Sequence, residues 1–487
     1  MHVTIQSFKK AAKNKVLLFI LTGYASYIIQ FINSILIAVY LGPYFFGIWG
    51  FIVLSIAYIN QINFGISHSM NAIVSVNKQN KWYVTKIVGA SFTMLIGLSI
   101  SVALILILNN LLNFNIGEKY HFSQYVPFVF TIAVLGYFNG LYSNIFRIYG
   151  KLPEMIFSQS AYPILLLLTL LFYKGADLLW GLIIANTVAL ALAFLLFIAN
   201  SPIKLRPNVI IRLIITIQNK GWHLFIYNTS FYLIIISTRS LISAFYNVAE
   251  FGLFTFAFTM ASAVLLLLES LSYLIYPKML NRFAKSSFTN ITSILNQVRD
   301  SYITLSHALI HLSILFFPFF LTIFPKYSNS LDSFKYISLT IVLYTNSFGY
   351  SGLMIARNKE KVLGRISLIA LCINITTALI LIHFANLHYQ FVILSTMFTY
   401  SLYVLALGIY GRNLLKLNTS FFEVINDVFP PRLMIPLISS LILVLLLAEN
   451  IYFIIPLILF TTLNLKTLKI IFQIIGRIVL NPNLVNI

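Results

Sequence analysis

The chain has 487 residues, of which 60% are hydrophobic and only 9% charged, with a mean hydropathy of +0.92 and a net charge of +21. So apolar a composition excludes an ordinary soluble domain, and eleven acids leave few candidates for hydrolytic or metal-assisted chemistry. A single cysteine, Cys372, excludes a disulfide framework and a cysteine-based metal site.

Polar breaks divide the chain into fourteen hydrophobic segments. In order these are Val16–Leu41, Gly47–Val76, Ile87–Asn109, Tyr125–Ile148, Phe157–Tyr173, Leu178–Asn200 and His223–Tyr246. There follow Phe251–Pro277, Ile303–Phe324, Phe334–Ala356, Val362–His383, Gln390–Gly411, Leu433–Ala448 and Ile451–Leu463. A hydrocarbon core of ~30 Å takes about 20 apolar residues in a helix, which nearly every segment supplies. The fifth, thirteenth and fourteenth are short. The basic start, MHVTIQSFKKAAKNK, runs into a long span without a small-residue cleavage site, so a retained first helix is expected.

Alternate loops carry the charge. The N-terminus and every second loop hold 27 of the 32 lysines and arginines, whereas the other side holds Lys119, Lys174, Lys326 and Lys335. Arg239 lies within a span. The acids show no such bias, five lying on each side with Glu269 inside a span. Basic asymmetry without acidic asymmetry marks the cytoplasmic side, and both termini fall there. Short basic loops facing an anionic leaflet account for the charge without nucleic acid. No loop is long enough for a soluble domain, and neither an enzyme nor a cofactor is expected.

The hairpin LIAVYLGPYFFGIWGF, beginning at Leu36, recurs as LISAFYNVAEFGLFTF, beginning at Leu241. At a constant offset of 205, Leu36, Tyr40, Phe46, Gly47, Trp49 and Phe51 meet Leu241, Phe245, Phe251, Gly252, Phe254 and Phe256. A repeat of six helices returns the chain to the same side, so the two halves share one orientation, as in transporters built from parallel repeats. The expected architecture is all-α and polytopic: a six-helix lobe over 1–205, a second over 206–415, and two extra helices with a tail over 416–487. The two lobes would flank a central cavity.

The hairpin LGPYFFGIWGFIVLSIAYINQINFGI resembles the start of bacterial polysaccharide and O-antigen flippases of the multidrug/oligosaccharidyl-lipid/polysaccharide exporter superfamily. Thr238-Arg239-Ser240 with the following LISAFYNVAEFGLFTFAFTMA is similar to that family's seventh and eighth helices, LIYPKM to the eighth-helix exit and LMIARNKEK to the tenth. The resemblance implies a protein of the bacterial inner membrane. It would move an undecaprenyl-diphosphate-linked oligosaccharide from the cytoplasmic to the periplasmic leaflet for O-antigen or another surface polysaccharide. A glycan polymerase and a chain-length regulator are its implied partners, with the flippase itself a monomer. One departure stands out: family members often carry Asp directly before the seventh-helix arginine, and here that place is Thr238, so no Asp–Arg pair carries over. A drug or cation exporter of the same superfamily is the alternative. Such exporters usually carry buried carboxylates in one lobe, and spans one to six have no acid.

A guanidinium deep in a span is costly unless it is paired or faces water, which singles out Arg239. It lies 17 residues beyond Trp222, ~25 Å along a helix, and shares a face with Asn228 and Tyr232. Arginine suits bidentate contact with a diphosphate, although a structural arginine at helix-end carbonyls is the plainer reading. Glu269 lies ~13 Å from Lys278, which staggers it from Arg239 by roughly 12 Å and excludes an assumed salt bridge. A lone membrane carboxylate is a candidate proton carrier for ion coupling. Gln30 and Asn33 on the first span, Gln61 and His68 on the second, and Asn139 and Asn144 on the fourth are candidate glycan contacts, with helix–helix hydrogen bonding the competing role. His307 and His311 have metal-like spacing without an accompanying acid or cysteine, and no metal site is expected.

Overall fold

The computed structural model describes residues 15–111, 117–285, 288–447 and 449–480. Every described regular element is an α- or 3-10 helix. Lipid offers no hydrogen bonds to a backbone, and a helix satisfies its amides within one segment. α1 (Lys15–Gln61), α2 (Ile66–Val76) and α3 (Lys81–Leu111) come first, then α4 (Val126–Tyr149), α5 (Leu152–Phe172) and α6 (Gly175–Ala199). α7 (Ile211–Phe245) and α8 (Val248–Lys285) are long, as is α9 (Phe288–Ile323). The chain continues through α10 (Leu331–Thr345), α11 (Tyr350–Ala356), α12 (Glu360–His383) and α13 (Leu394–Leu414). It closes with α14 (Phe421–Val428), α15 (Pro431–Leu445) and α16 (Ile454–Leu480).

Among the described residues ten helices are long and apolar enough to cross a membrane, or up to eleven with the pair α14–α15, bent by 72°. This makes the chain a multi-pass membrane protein. The ten are fewer than the fourteen expected for reasons visible in the chain. Thr22–Gln61 counts once, yet its 40 residues would extend about 60 Å, twice the hydrocarbon core. It is broken at Gly42, whose φ of 69° is open to glycine and whose successor is Pro43. The seventh segment is diluted by Ser237, Thr238, Arg239, Ser240 and Ser243. The tenth is interrupted.

Two expected spans are not continuous. The second, Gly47–Val76, breaks at 62–65, where Phe64 and Gly65 both take positive φ. The tenth, Phe334–Ala356, breaks after Thr345, with Gly349 at φ 88°. Irregular backbone at membrane depth must find other partners. At the first break the Tyr137 hydroxyl donates to the Ile59 carbonyl, and the Asn63 amide donates to the Asn60 carbonyl at 3.0 Å. At the second, Nε and Nη2 of Arg299 both donate to the Asn346 carbonyl, at 3.1 and 2.9 Å. The breaks fall at non-equivalent places, the second helix of one expected lobe and the fourth of the other.

The chain divides into two compact units, residues 1–229 with 247–252, and residues 230–246 with 253–487. In the first, α1 packs on α4, α5 and α6, and α5 lies along α6. Its buried apolar side chains include Met70, Val74, Ile87, Leu141, Ile145 and Phe146. In the second, α12 lies along α13, α10 packs on α9 and α13, and α15 and α16 pack on α9 and on each other.

Candidate functional site

Arg239 is where the seventh helix combines burial with charge. Its residue is 7% exposed, and its guanidinium lies over the Phe258 ring of α8, 4.7 Å from the centroid. Cation–π contact of this kind is strongest where water is excluded. Tyr232, two turns earlier on α7, is half-buried. Asn228 is also half-buried.

The neighbouring residues hold this stretch of α7 in place. Asn374 of α12 donates to the Ile234 carbonyl at 2.7 Å and to the Ser237 and Thr238 hydroxyls, each at 3.0 Å. Thr238 and Thr396 of α13 share a hydroxyl hydrogen bond of 2.7 Å. At the position where the resembled family often has aspartate, this chain therefore has a neutral helix–helix tie. It positions Arg239 without neutralising it.

The candidate glycan contacts separate into two groups. Asn33 is 1% exposed and donates to the Pro163 carbonyl of α5 at 2.7 Å, and nearby Ser26 bonds Ser160 at 3.0 Å. Asn139 donates to the Leu190 carbonyl of α6 at 2.9 Å. Asn144 donates to Gly140 within its own helix and accepts from Arg147, at 3.0 and 2.9 Å. The amide donors of Asn33 and Asn139 are thus engaged between helices, and that of Asn144 within its own helix. Gln30 and His68 are exposed, and Gln61 is half-buried. Glu269 lies on α8 outside the residues whose side chains are described.

Each histidine of the pair meets a polar side chain from elsewhere in the chain. His307 Nε2 meets Asn346 Oδ1 at 3.1 Å, and His311 Nδ1 meets the Ser440 hydroxyl at 3.2 Å. No group of three or more metal-capable side chains gathers among the described residues.

Sequence reasoning missed a second polar cluster. Arg299, with a side chain 5% exposed, pairs with Asp427 through Nη1 and donates from Nη2 to the Asp427 carbonyl at 2.7 Å. The Tyr350 hydroxyl donates to the other carboxylate oxygen, while the Arg299 guanidinium lies 4.9 Å from the Tyr350 ring centroid. Arg412 sits 3.6 Å from Asp427 and 2.6 Å from Glu423. Two arginines and two acids, with the Asn346 carbonyl and Tyr350, thus join α9, the break before α11, α11 itself, α13 and the short α14. Arg299 and Asp427 are 128 positions apart, and no local pattern announces the pairing.

On the opposite loops, the 117–125 segment folds onto the first hairpin. Tyr120 stacks on Phe51 with centroids 4.2 Å apart and meets Phe251 edge-on at 5.9 Å. Burial holds the Lys119 ammonium below the usual lysine range, and the Glu250 carboxylate works against that shift.

No family model matches the sequence, and no curated protein matches it. Solved structures do. The lipid II flippase MurJ, in an inward closed conformation, is 16% identical with a TM-score of 0.65, covering 94% of this chain and 99% of its own. A multidrug resistance MATE-family transporter of the MOP superfamily, inward-facing, is 13% identical with a TM-score of 0.63, covering 80% of this chain and 94% of its own. A MOP superfamily transporter from Pyrococcus furiosus is 12% identical with a TM-score of 0.54, covering 82% and 94%. Identities this low speak for architecture alone. The fold of this chain is that of the MOP-superfamily transporters.

Proposed function

We propose that the protein flips a lipid-linked oligosaccharide, a repeat unit on undecaprenyl diphosphate, from the cytoplasmic to the periplasmic leaflet for O-antigen or a related surface polysaccharide. The observation that carries this reading is the likeness to a lipid II flippase over 94% of this chain, against 80% for the MATE transporter. A shortfall of that order is what an extra C-terminal helix pair, absent from an exporter, would leave. In this reading both termini are cytoplasmic, two six-helix lobes bracket a wet cleft, and α15 and α16 lie beside them. The glycan and diphosphate cross in the cleft while the polyprenyl tail stays in lipid.

Arg239 grips the diphosphate. Its stacking on Phe258 keeps the fork rigid, and Thr238 and Asn374 hold the helix beneath it. Tyr232 and Asn228 extend the same face, and Gln30, Gln61 and His68 contribute neutral contacts to the sugars. Glu269 couples transport to an ion gradient by taking up and releasing a proton. Asn33, Asn139 and Asn144 are left out of the site, because their amide donors already serve the helices.

Complementation tests this. In a strain lacking its own oligosaccharide flippase and making a matching repeat unit, the protein restores surface polymer and leaves resistance to cationic dyes unchanged. Dye resistance without polymer would replace this reading with that of a multidrug or cation antiporter.

A further inference from the structure

A groove of about 400 Å³ runs between α5 and α6 in the first unit. Leu165 and Phe172 form one wall, and Ile184 and Val188 form the other, with Asp177 and Trp180 at the end nearest the 173–175 turn. The helices touch beside it: a Cβ on Gly181 would lie 2.6 Å from Thr169 Cγ2. Phe172, Ile184 and Val188 are 78%, 49% and 41% exposed, so the groove opens sideways toward lipid and not into a sealed core.

Three features name an occupant. The first is length. From Asp177 to Val188 is eleven residues of helix, ~16 Å, about half of a ~30 Å hydrocarbon core. The groove therefore spans one leaflet. The second is depth. Trp180 packs on Tyr125 and Phe128, with centroids 5.0 and 5.7 Å away, and such aromatic side chains settle at head-group level. The third is charge. Asp177 is exposed at the polar end and forms no ion pair among the described residues. Three residues earlier, Lys174 precedes the helix start, with its ammonium 5.6 Å from the Tyr40 ring centroid.

We propose that this groove binds a membrane phospholipid with a protonated amine head group, of the phosphatidylethanolamine type. One acyl chain fills the apolar trough, the amine meets the Asp177 carboxylate, and the phosphate reaches toward Lys174. A phosphatidylglycerol head group offers Asp177 no cation, and a polyprenyl diphosphate would bring further negative charge beside it. The proposal does not rest on flipping of any substrate.

The test is native mass spectrometry of the detergent-purified full chain. Phosphatidylethanolamine, phosphatidylglycerol and a polyprenyl diphosphate of matched concentration are supplied separately and in competition. The parent retains phosphatidylethanolamine about fivefold better than phosphatidylglycerol, the scale of one exposed ion pair. Asp177→Asn, a change at an exposed residue, abolishes that preference. Val188→Trp, on the lipid-facing wall, fills the trough and removes the retained phosphatidylethanolamine with the melting temperature unchanged. If Val188→Trp fails to fold, Ile184→Trp takes its place. Equal retention of both phospholipids by the parent, meaning an ordinary annular lipid, overturns the proposal. So does an undiminished adduct in the tryptophan variants, or displacement of phosphatidylethanolamine by the polyprenyl diphosphate. Surface-polymer rescue is not read here, so a failure of the flippase reading and a failure of this one remain distinct.

Discussion

Gly47 and Gly252, equivalent positions of the sequence repeat, lie against one another's chain. A Cβ on Gly252 would stand 3.0 Å from the Gly47 backbone nitrogen and 1.9 Å from the Pro43 carbonyl oxygen, and one on Gly47 would stand 2.1 Å from the Val248 carbonyl oxygen. Residues 43–47 and 248–252 therefore cross backbone to backbone, within the first unit. Small residues at such crossings let helices approach in a setting where lipid competes with every apolar contact. Gly47→Ala and Gly252→Ala each force the backbones apart, a cost of about 1–3 kcal/mol. Both should melt at lower temperature, and Gly252→Leu should lower accumulation in the membrane as well. Thermal unfolding of the purified variants reads this, and an unchanged melting point for all three would remove the crossing from the account.

The charge asymmetry makes a topological prediction. Reporter fusions at Gly117, Gly175 and Tyr327 should report the periplasm, and fusions at Lys285 and Lys359 the cytoplasm. Reversed signals at two of these sites would break the proposed orientation.

Arg239 separates geometry from charge. Arg239→Lys keeps the charge but loses the planar fork and its stacking on Phe258, so transport should fall partially. Arg239→Ala should abolish polymer while the protein remains in the membrane, with bound lipid-linked oligosaccharide reduced about 10- to 150-fold, the range for a charged contact. Glu269→Gln should slow transport with less effect on binding. Mass spectrometry of bound substrate and assay of cell-surface polymer distinguish the three. An Arg239→Ala protein that binds and flips like the parent assigns the residue to structure.

Asp427 is expected to matter for stability. Removing its charge by Asp427→Asn strands the buried Arg299 guanidinium, and breaking a buried pair from one side costs about 3–5 kcal/mol. Replacing both partners with apolar residues should recover part of that loss, since a buried pair often does little better than good packing. Melting curves of the single and double variants measure the coupling. If Asp427→Asn melts with the parent, the cluster around the 346–349 break is not what holds it.

Hydropathy and charge along the chain determined that this is a multi-pass helical protein, where its apolar segments lie, and that a hairpin recurs with Gly47 and Gly252 in register. These are local or periodic properties: a segment is apolar whatever surrounds it, and a repeat is visible as similarity. The charge of Arg239 was legible for the same reason, because an arginine is conspicuous in an apolar run. Only the tertiary structure decided which polar side chains are already engaged. Asn33 meets Pro163, Asn139 meets Leu190, and Arg299 meets Asp427 across 130, 51 and 128 positions. The breaks at 62–65 and 346–349 belong to the same class, since the carbonyls they free are satisfied by Tyr137 and Arg299 from other helices. In lipid an amide or guanidinium must find its partner inside the protein, and that partner is set by which helices pack together, a relationship no window of neighbouring residues contains.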